Sequence, residues 1–359
     1  MTSNDRRAQV DPESFRPSAP LGMLRLRSEL LAFTRAFFRS GGFWEVETPI
    51  LSRDVVVDAY LEPFVTCAQA ETDCGQRGGG DELFLQTSPE FAMKRLSACG
   101  ASAIFQITRA FRRGEIGQRH NPEFTIVEWY RTGATYHDQM DFVEELVTGF
   151  FERVQAVREL KPVDSPPPGR EPPSRPFERL TYDRAFEQAV GHPVLGLNAC
   201  DLAKLAESIG VAPPPGLAAD DVDGWLNLLL ALRVEPALAN RPALFLYDYP
   251  PGQAALSRIR PSVPAVAERF ELYLAGVEIC NGYQELTDAD ELRRRVVVQS
   301  ALRQREGSRP LPATSRLLDA MEAGLAPCAG VALGFDRLLM CAVGADSLAE
   351  VMAFPFDRA

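Results

Sequence analysis

The residues with the most chemistry to offer lie between Phe111 and Arg131, which read FRRGEIGQRHNPEFTIVEWYR. Arg112, Arg113, Arg119 and His120 stand with Glu115, Glu123 and Glu128 around an HNPEF turn. Such a loop can hold a polyanion on its guanidiniums and a cation on its carboxylates. A second pair of carboxylates, Glu271 and Glu278, lies seven residues apart in ERFELYLAGVEICNGYQELTD, residues 268–288. Paired oxygen ligands of this kind suit Mg²⁺ bridging phosphates. The apolar neighbours Phe270, Leu272, Val277 and Ile279 argue against a merely solvated strand face. Two more segments offer charge: SPE at 88–90 followed by Lys94, and GVALGFDR at 330–337.

These side chains need a scaffold, and the apolar pattern supplies one. The runs Ala103–Ile107 and Phe124–Tyr130 predict two strands joined by the charged loop. Arg269–Leu274 and Val277–Cys280 predict a hairpin around Ala275-Gly276. Helical spacing of Leu24, Leu31 and Phe38 predicts a helix over 22–40, ended by Gly41-Gly42. FWEVETPIL follows and reads as a strand whose Pro49 marks an edge or a bulge. Further helices are expected over 91–97, 138–160, 289–305 and 314–323, with Thr87 or Ser88 capping the first. Strands are expected over 83–85 and 242–250, and GVALGFDR reads as a strand running into a helix. Residues 162–177 form a proline-rich linker, and 181–240 read as a helical insertion with helices near 182–190, 199–209 and 222–232. The glycine-rich stretch 68–82 has no lysine or Ser/Thr pair after its glycines, so it is a hairpin connection and not a phosphate-binding loop.

Composition narrows the class. The chain has 359 residues, 46% of them apolar, enough for a large core and for one or two domains. No apolar run reaches the roughly 18–20 residues that a membrane helix needs. Residues 1–20 lack the apolar centre of a signal peptide and read as a polar, mobile tail. Seven cysteines without a CxxC pair, and only three histidines, argue against zinc and suit a reducing cytoplasm. The net charge of −11 gives no general attraction to nucleic acid.

Taken in order, four segments resemble the class II aminoacyl-tRNA synthetases of the lysyl branch. The helix and Pro49 strand resemble motif 1, FRRGEIGQRHNPEF motif 2 and GVALGFDR motif 3, with SPE and EICNGYQEL between them. The resemblance runs from Leu24 to the C-terminus and implies an α+β fold, a class II catalytic core with a mostly antiparallel sheet flanked by helices. It also implies a homodimer formed through motif 1. Within that branch the chain resembles the elongation factor P lysine ligase family, paralogues of lysyl-tRNA synthetase without the anticodon-binding barrel. Only some 20 residues precede the first helix, too few for such a barrel.

The resemblance assigns roles. It implies that Mg·ATP activates the substrate as an aminoacyl-adenylate, with Arg112 at the α-phosphate and substrate carboxylate and Arg337 at the γ-phosphate. It places Glu115, His120, Asn121, Phe124, Glu278, Ile279 and Gly334 around ATP, with Phe124 stacked on adenine and Glu271 and Glu278 as metal ligands. Ser88, Pro89, Glu90, Glu128, Tyr130, Asn281, Tyr283, Glu285 and Ala332 map onto the amino-acid pocket, Glu285 facing the side-chain ammonium. Lysyl-tRNA synthetases usually carry Ala at the place of Ser88 and Gly at the place of Ala332. The pattern here is that of the ligases, and the Ala332 methyl would crowd an α-amino group, which points to (R)-β-lysine. The acceptor implied is a lysine of elongation factor P, with no tRNA and no membrane partner.

Two departures stand out: motif 2 reads FRRGE where FRxE is usual, so Glu115 is displaced by one, and Tyr283 replaces a common Phe. Two other readings compete. One is a truncated lysyl-tRNA synthetase using α-lysine, against which Ser88, Ala332 and the short N-terminus speak. The other is an inactive regulatory paralogue, against which Arg112, Glu271, Glu278 and Arg337 speak.

Overall fold

The computed structural model of the chain describes residues 15–67, 82–160 and 170–359. Nearly all of the 68–82 connection, residues 1–14 of the expected tail and 162–169 of the expected linker lie outside the described residues. Helix α1 spans Leu21–Ser40. Short strands β1 (Trp44–Glu45), β2 (Leu51–Ser52), β3 (Val65–Cys67) and β4 (Glu82–Leu85) follow, then helix α2 (Glu90–Ala98). The long strands β5 (Ala103–Phe111) and β6 (Glu123–Thr132) precede helix α3 (Tyr136–Leu160). Strand β7 (Glu178–Thr181) leads into helices α4 (Tyr182–Val190), α5 (Ala199–Ser208), α6 (Val222–Leu229) and α7 (Glu235–Leu238), the last two joined by a π turn at Leu230–Val234. Strands β8 (Leu244–Tyr249), β9 (Ile259–Arg260), β10 (Val266–Leu274) and β11 (Val277–Gln284) come next. Helices α8 (Ala289–Arg305) and α9 (Arg316–Gly324), strand β12 (Cys328–Gly334) and helix α10 (Phe335–Val343) complete the set.

The main sheet has the order β1-β5-β6-β12-β11-β10-β8-β7, with β9 beside β10. It is antiparallel except for β1 on β5 and β7 on β8. The β7–β8 pair is parallel, so its connection must cross over the sheet, and α4–α7 form that crossover. The α+β architecture expected from sequence is therefore the one found. One expectation changes: the Pro49 segment is not one strand. It splits into β1 on the edge of the main sheet and β2 in a separate three-stranded sheet with β4 and β3. Proline lacks the N–H that a continuous ladder would require at that point.

Alternation along the central strands sorts the sheet into two faces. Phe105, Val127, Trp129, Phe270, Leu272, Val331 and Leu333 point to one side, where α1, α3 and α10 cover them in the largest apolar cluster. A ring group at its centre stacks Phe38 on Phe105 at 4.5 Å, with Trp129 edge-on at 5.0 Å. A second cluster lies under the crossover helices and includes Tyr182, Phe186, Trp225, Leu244 and Leu246. Residues 170–177 run back across α3 and α10: Arg170 donates to the Ala342 carbonyl, and Arg175 and the Phe177 N–H bond Glu144. Among the described residues Cys99, Cys200, Cys280, Cys328 and Cys341 are free and Cys67 is disulfide-bonded. No helix among the described residues is long and apolar enough to cross a membrane.

Candidate active site

The other face of the sheet is polar, and cross-strand register builds it in rows. Gln106, Glu128, Ala332, Asn281 and Glu271 lie directly opposite one another on β5, β6, β12, β11 and β10. The next row of that face runs Tyr130, Gly330, Tyr283, Arg269. Residues opposed in this way share a face, so five distant parts of the sequence meet there. Helix α2 closes one side of it. Ser88, just before α2, accepts from the Glu90 N–H at 3.0 Å and donates its hydroxyl to Glu128 Oε2 at 2.8 Å. Pro89, not Thr87 or Ser88, holds the N-cap position, and no side chain caps the helix there.

Three carboxylates, Glu90, Glu128 and Glu285, crowd this end of the cleft and are all buried. Tyr130 donates its hydroxyl to Glu128 Oε1 at 2.7 Å. Burial, and then the charge of Glu90, push Glu128 up to about 8. Lys94 lies among them with 2% of its side chain exposed. Its Nζ is 2.6 Å from Glu90 Oε1 and also pairs with Glu285 Oε2. Burial disfavours the ammonium, but Glu285 and Glu90 outweigh it and raise the pKa of Lys94 above the ordinary lysine range. Gly330 makes the space: a Cβ there would come within 2.4 Å of the Tyr130 ring and 2.6 Å of Glu285 Oε1. The Asn281 Oδ1 is buried without a partner, an acceptor facing the same row.

A β-bulge shapes the opposite end. The β10–β11 register pairs Leu272 with Cys280 but Tyr273 with Glu278, which leaves Ile279 unmatched. Glu278 therefore shares the cleft face with Glu271 and Tyr273, while Ile279 turns its side chain into the core. Only the backbone of Ile279 remains for a ligand. Glu271 accepts from Tyr273 OH at 2.7 Å on one oxygen and from Arg269 on the other. Glu278 is 3.3 Å from Arg337 Nη1. Both carboxylates keep further lone pairs, so an oxygen-coordinated Mg²⁺ fits the donor chemistry. Among the described residues no cluster of three or more metal-binding side chains accompanies them, and phosphate oxygens would have to complete the coordination.

The charged loop faces the same region. The Arg112 guanidinium lies over the Phe124 ring at 5.1 Å, its Nη1 is 3.6 Å from Glu115, and its buried Nε has no partner. Arg337, at the start of α10, donates to the carbonyls of Arg119 and Glu278 and reaches His120 Nε2 at 2.7 Å. Burial and then the Arg337 cation lower the His120 pKa, and since a guanidinium only donates, Nε2 is the acceptor in this contact. Gly334 precedes α10 opposite Ile126. The Asn121 Nδ2 donates to the Glu123 carbonyl and its Oδ1 accepts from the Phe356 N–H. Both ends of that amide tether the turn to the C-terminal segment.

Arg27 and Arg269 had no role in the sequence reading, and Lys94 was grouped with SPE as a source of charge without a role of its own. Lys94 and Arg269 neutralise site carboxylates. Arg27 of α1 bonds Asp336 at 2.6 Å and Thr125 at 2.7 Å, while the Thr125 N–H donates to Asp336. Asp336 thus links the first helix to the residues beside Phe124 and Arg337. The signal for Lys94 was visible in principle. Glu90, Met93, Lys94 and Ser97 occupy the buried stripe of α2, where apolar residues are the rule.

Arginines of the charged loop and of α10 beside a carboxylate-lined pocket, on the face of a mostly antiparallel sheet, define a class II synthetase core. The family model for class II tRNA synthetases (D, K and N) matches residues 14–358, and the chain belongs to that family. The chain is 39% identical over 348 residues to the elongation factor P--(R)-beta-lysine ligase of Salmonella gallinarum (strain 287/91 / NCTC 13346), covering 96% of this chain and 98% of that relative. Proteins of the same name from Vibrio vulnificus and Vibrio cholerae are 38% and 39% identical, each over 96% of this chain and 99% and 98% of theirs.

Proposed function

We propose that this chain is an ATP-dependent ligase that activates (R)-β-lysine and transfers it to a lysine side chain of elongation factor P. The observation that carries the reading is the convergence of Ser88 and Ala332 on Glu128, in a pocket whose remaining acids are Glu90 and Glu285. Full-length similarity to ligases of that name supports it.

The chemistry divides between the two ends of the cleft. Glu90, Glu128, Glu285 and Asn281 receive the two ammonium groups of the substrate and turn its carboxylate toward Arg112. Arg112 holds that carboxylate against the α-phosphate, Phe124 stacks on the adenine, and Arg337 with His120 takes the terminal phosphates. A substrate carboxylate oxygen attacks the α-phosphorus, and the bond to pyrophosphate breaks. The ε-amine of the acceptor lysine then attacks the acyl carbon and AMP leaves. No side chain needs to form a covalent bond, because positioning and fixed charge supply the catalysis. Glu271 and Glu278 would hold Mg²⁺, which neutralises phosphate charge when bound. Arg269 keeps Glu271 oriented whether or not the ion is present.

Trp44, Ile50 and Leu51, in the segment that follows α1 and carries Pro49, are exposed. Apolar surface of this kind supports a homodimer formed there. Work on a translation factor places the enzyme in the cytoplasm, and no tRNA is required. Pyrophosphate exchange with (R)-β-lysine and with α-lysine tests the first step; exchange with neither substrate would overturn the reading.

A further inference from the structure

Lys94 is an unusual residue for this chain. It is one of three lysines, with Lys161 and Lys204, among 38 basic residues. Where positive charge is needed, arginine is the common choice, yet the most deeply buried cation of the pocket is a lysine. It sits on α2 one turn after Glu90 and reaches across to Glu285, next to β12. Its ammonium also faces the Tyr130 ring, 5.8 Å from the centroid. One compact charge therefore joins acids from two separate parts of the fold, in a space where a guanidinium fork would be larger.

We propose that Lys94 is a positioning and specificity residue: it ties Glu90 to Glu285 and cancels one of the three pocket carboxylates. The arithmetic is direct. Glu90, Glu128 and Glu285 can supply three negative charges, and Lys94 leaves two. Arg269 and Glu271, on adjacent rows further along the face, cancel each other. Two uncompensated acids are the complement of a substrate with two ammonium groups, and buried charges require partners. Without Lys94, the acids repel and would take up protons or swing apart, so a diamino acid would no longer find a prepared site. The phosphate-facing Arg112 and Arg337 are untouched by this change, so affinity for the amino acid should suffer more than turnover. The inference rests on the amino-acid-activating reading above.

The test is pyrophosphate exchange with the full chain, comparing wild type with Lys94→Ala. The proposal expects KM for (R)-β-lysine to rise at least tenfold, with kcat at saturation within about fivefold of wild type. Ethylammonium, which can enter the space vacated by the side chain, should restore much of the lost affinity, and ethanol should not. An unchanged KM, recovery with ethanol as good as with ethylammonium, or no recovery with either would overturn the charge role. If the variant does not fold, the wild type decides. With only three lysines, ¹⁵N-lysine labelling resolves the Lys94 ammonium, and its signal should shift on adding the diamino acid but not its analogue lacking the side-chain amine. Equal shifts, or none, would overturn the proposal. A wild type inactive with both lysine isomers would instead remove the activation reading beneath it.

Discussion

Ser88 donates its hydroxyl to Glu128 across 2.8 Å, and Ala332 stands opposite that same Glu128 on the neighbouring strand. The two positions on which the proposed choice of lysine isomer turns, 244 residues apart, thus bear on one carboxylate. Ala332→Gly should improve kcat/KM for α-lysine relative to (R)-β-lysine, because it removes the methyl beside the ammonium-binding acids. A methyl-sized change is worth about 1–3 kcal/mol of discrimination. An unchanged ratio would show that Ala332 does not line the pocket.

Glu128 gives the enzyme a pH signature. With its carboxyl raised to about 8, the empty pocket holds a proton at neutral pH. An ammonium ligand favours the ionised form, so binding releases that proton and affinity increases as pH rises toward 8. KM for the diamino acid should fall between about pH 6.5 and pH 8.5, by at most about tenfold per unit. The same shift means that the folded chain binds more protons than the unfolded one over that window, so this group's contribution to stability falls as pH rises. Glu285 is raised to about 8 as well, chiefly by burial, so Glu128→Gln should lower the slope of the KM profile without abolishing it; an unchanged slope would assign the profile to Glu285.

Gly330→Ala should close the pocket. The new methyl would overlap the Tyr130 ring and Glu285, and overpacking of this kind costs about 1–3 kcal/mol of stability. Because the clash is with Glu285 and with the Tyr130 ring beside Glu128, loss of amino-acid affinity should exceed what the melting shift alone explains. Equal activity at saturating and subsaturating substrate would argue against that placement.

Arg27→Leu and Arg337→Ala should separate support from chemistry. Arg27→Leu leaves the buried Asp336 without its cation, and breaking such a pair costs about 3–5 kcal/mol. Arg337 is partly exposed, so Arg337→Ala should keep its thermal stability while losing pyrophosphate exchange. Normal exchange in a folded Arg337→Ala protein would remove that residue from the site.

Much of this was legible from the residues. The strands, the hairpin at Ala275-Gly276 and the helix after GFDR follow from periodicity and turn chemistry, and the structure has them. What the pattern could not reveal was the bulge at Ile279. In an unbroken ladder Glu278 and Asn281 would face opposite sides, being three apart. The extra residue brings Glu278, Asn281, Tyr283 and Glu285 to one face, and period-two reasoning has no signal for it. The dual use of Asn121 was hidden for a related reason: its partner Phe356 lies 235 residues away. Side chains that balance charge, such as Lys94 and Arg269, look like surface ions until burial is known.

The central claim is transfer of an activated lysine to a protein, and intact-mass measurement of elongation factor P tests it most directly. The factor is incubated with the enzyme, Mg·ATP and (R)-β-lysine or α-lysine, with a lysine tRNA offered in parallel. The account predicts a mass increase of one lysyl residue on the factor, greater with the β-isomer, and no charging of the tRNA. An unmodified factor alongside efficient charging of the tRNA would contradict it.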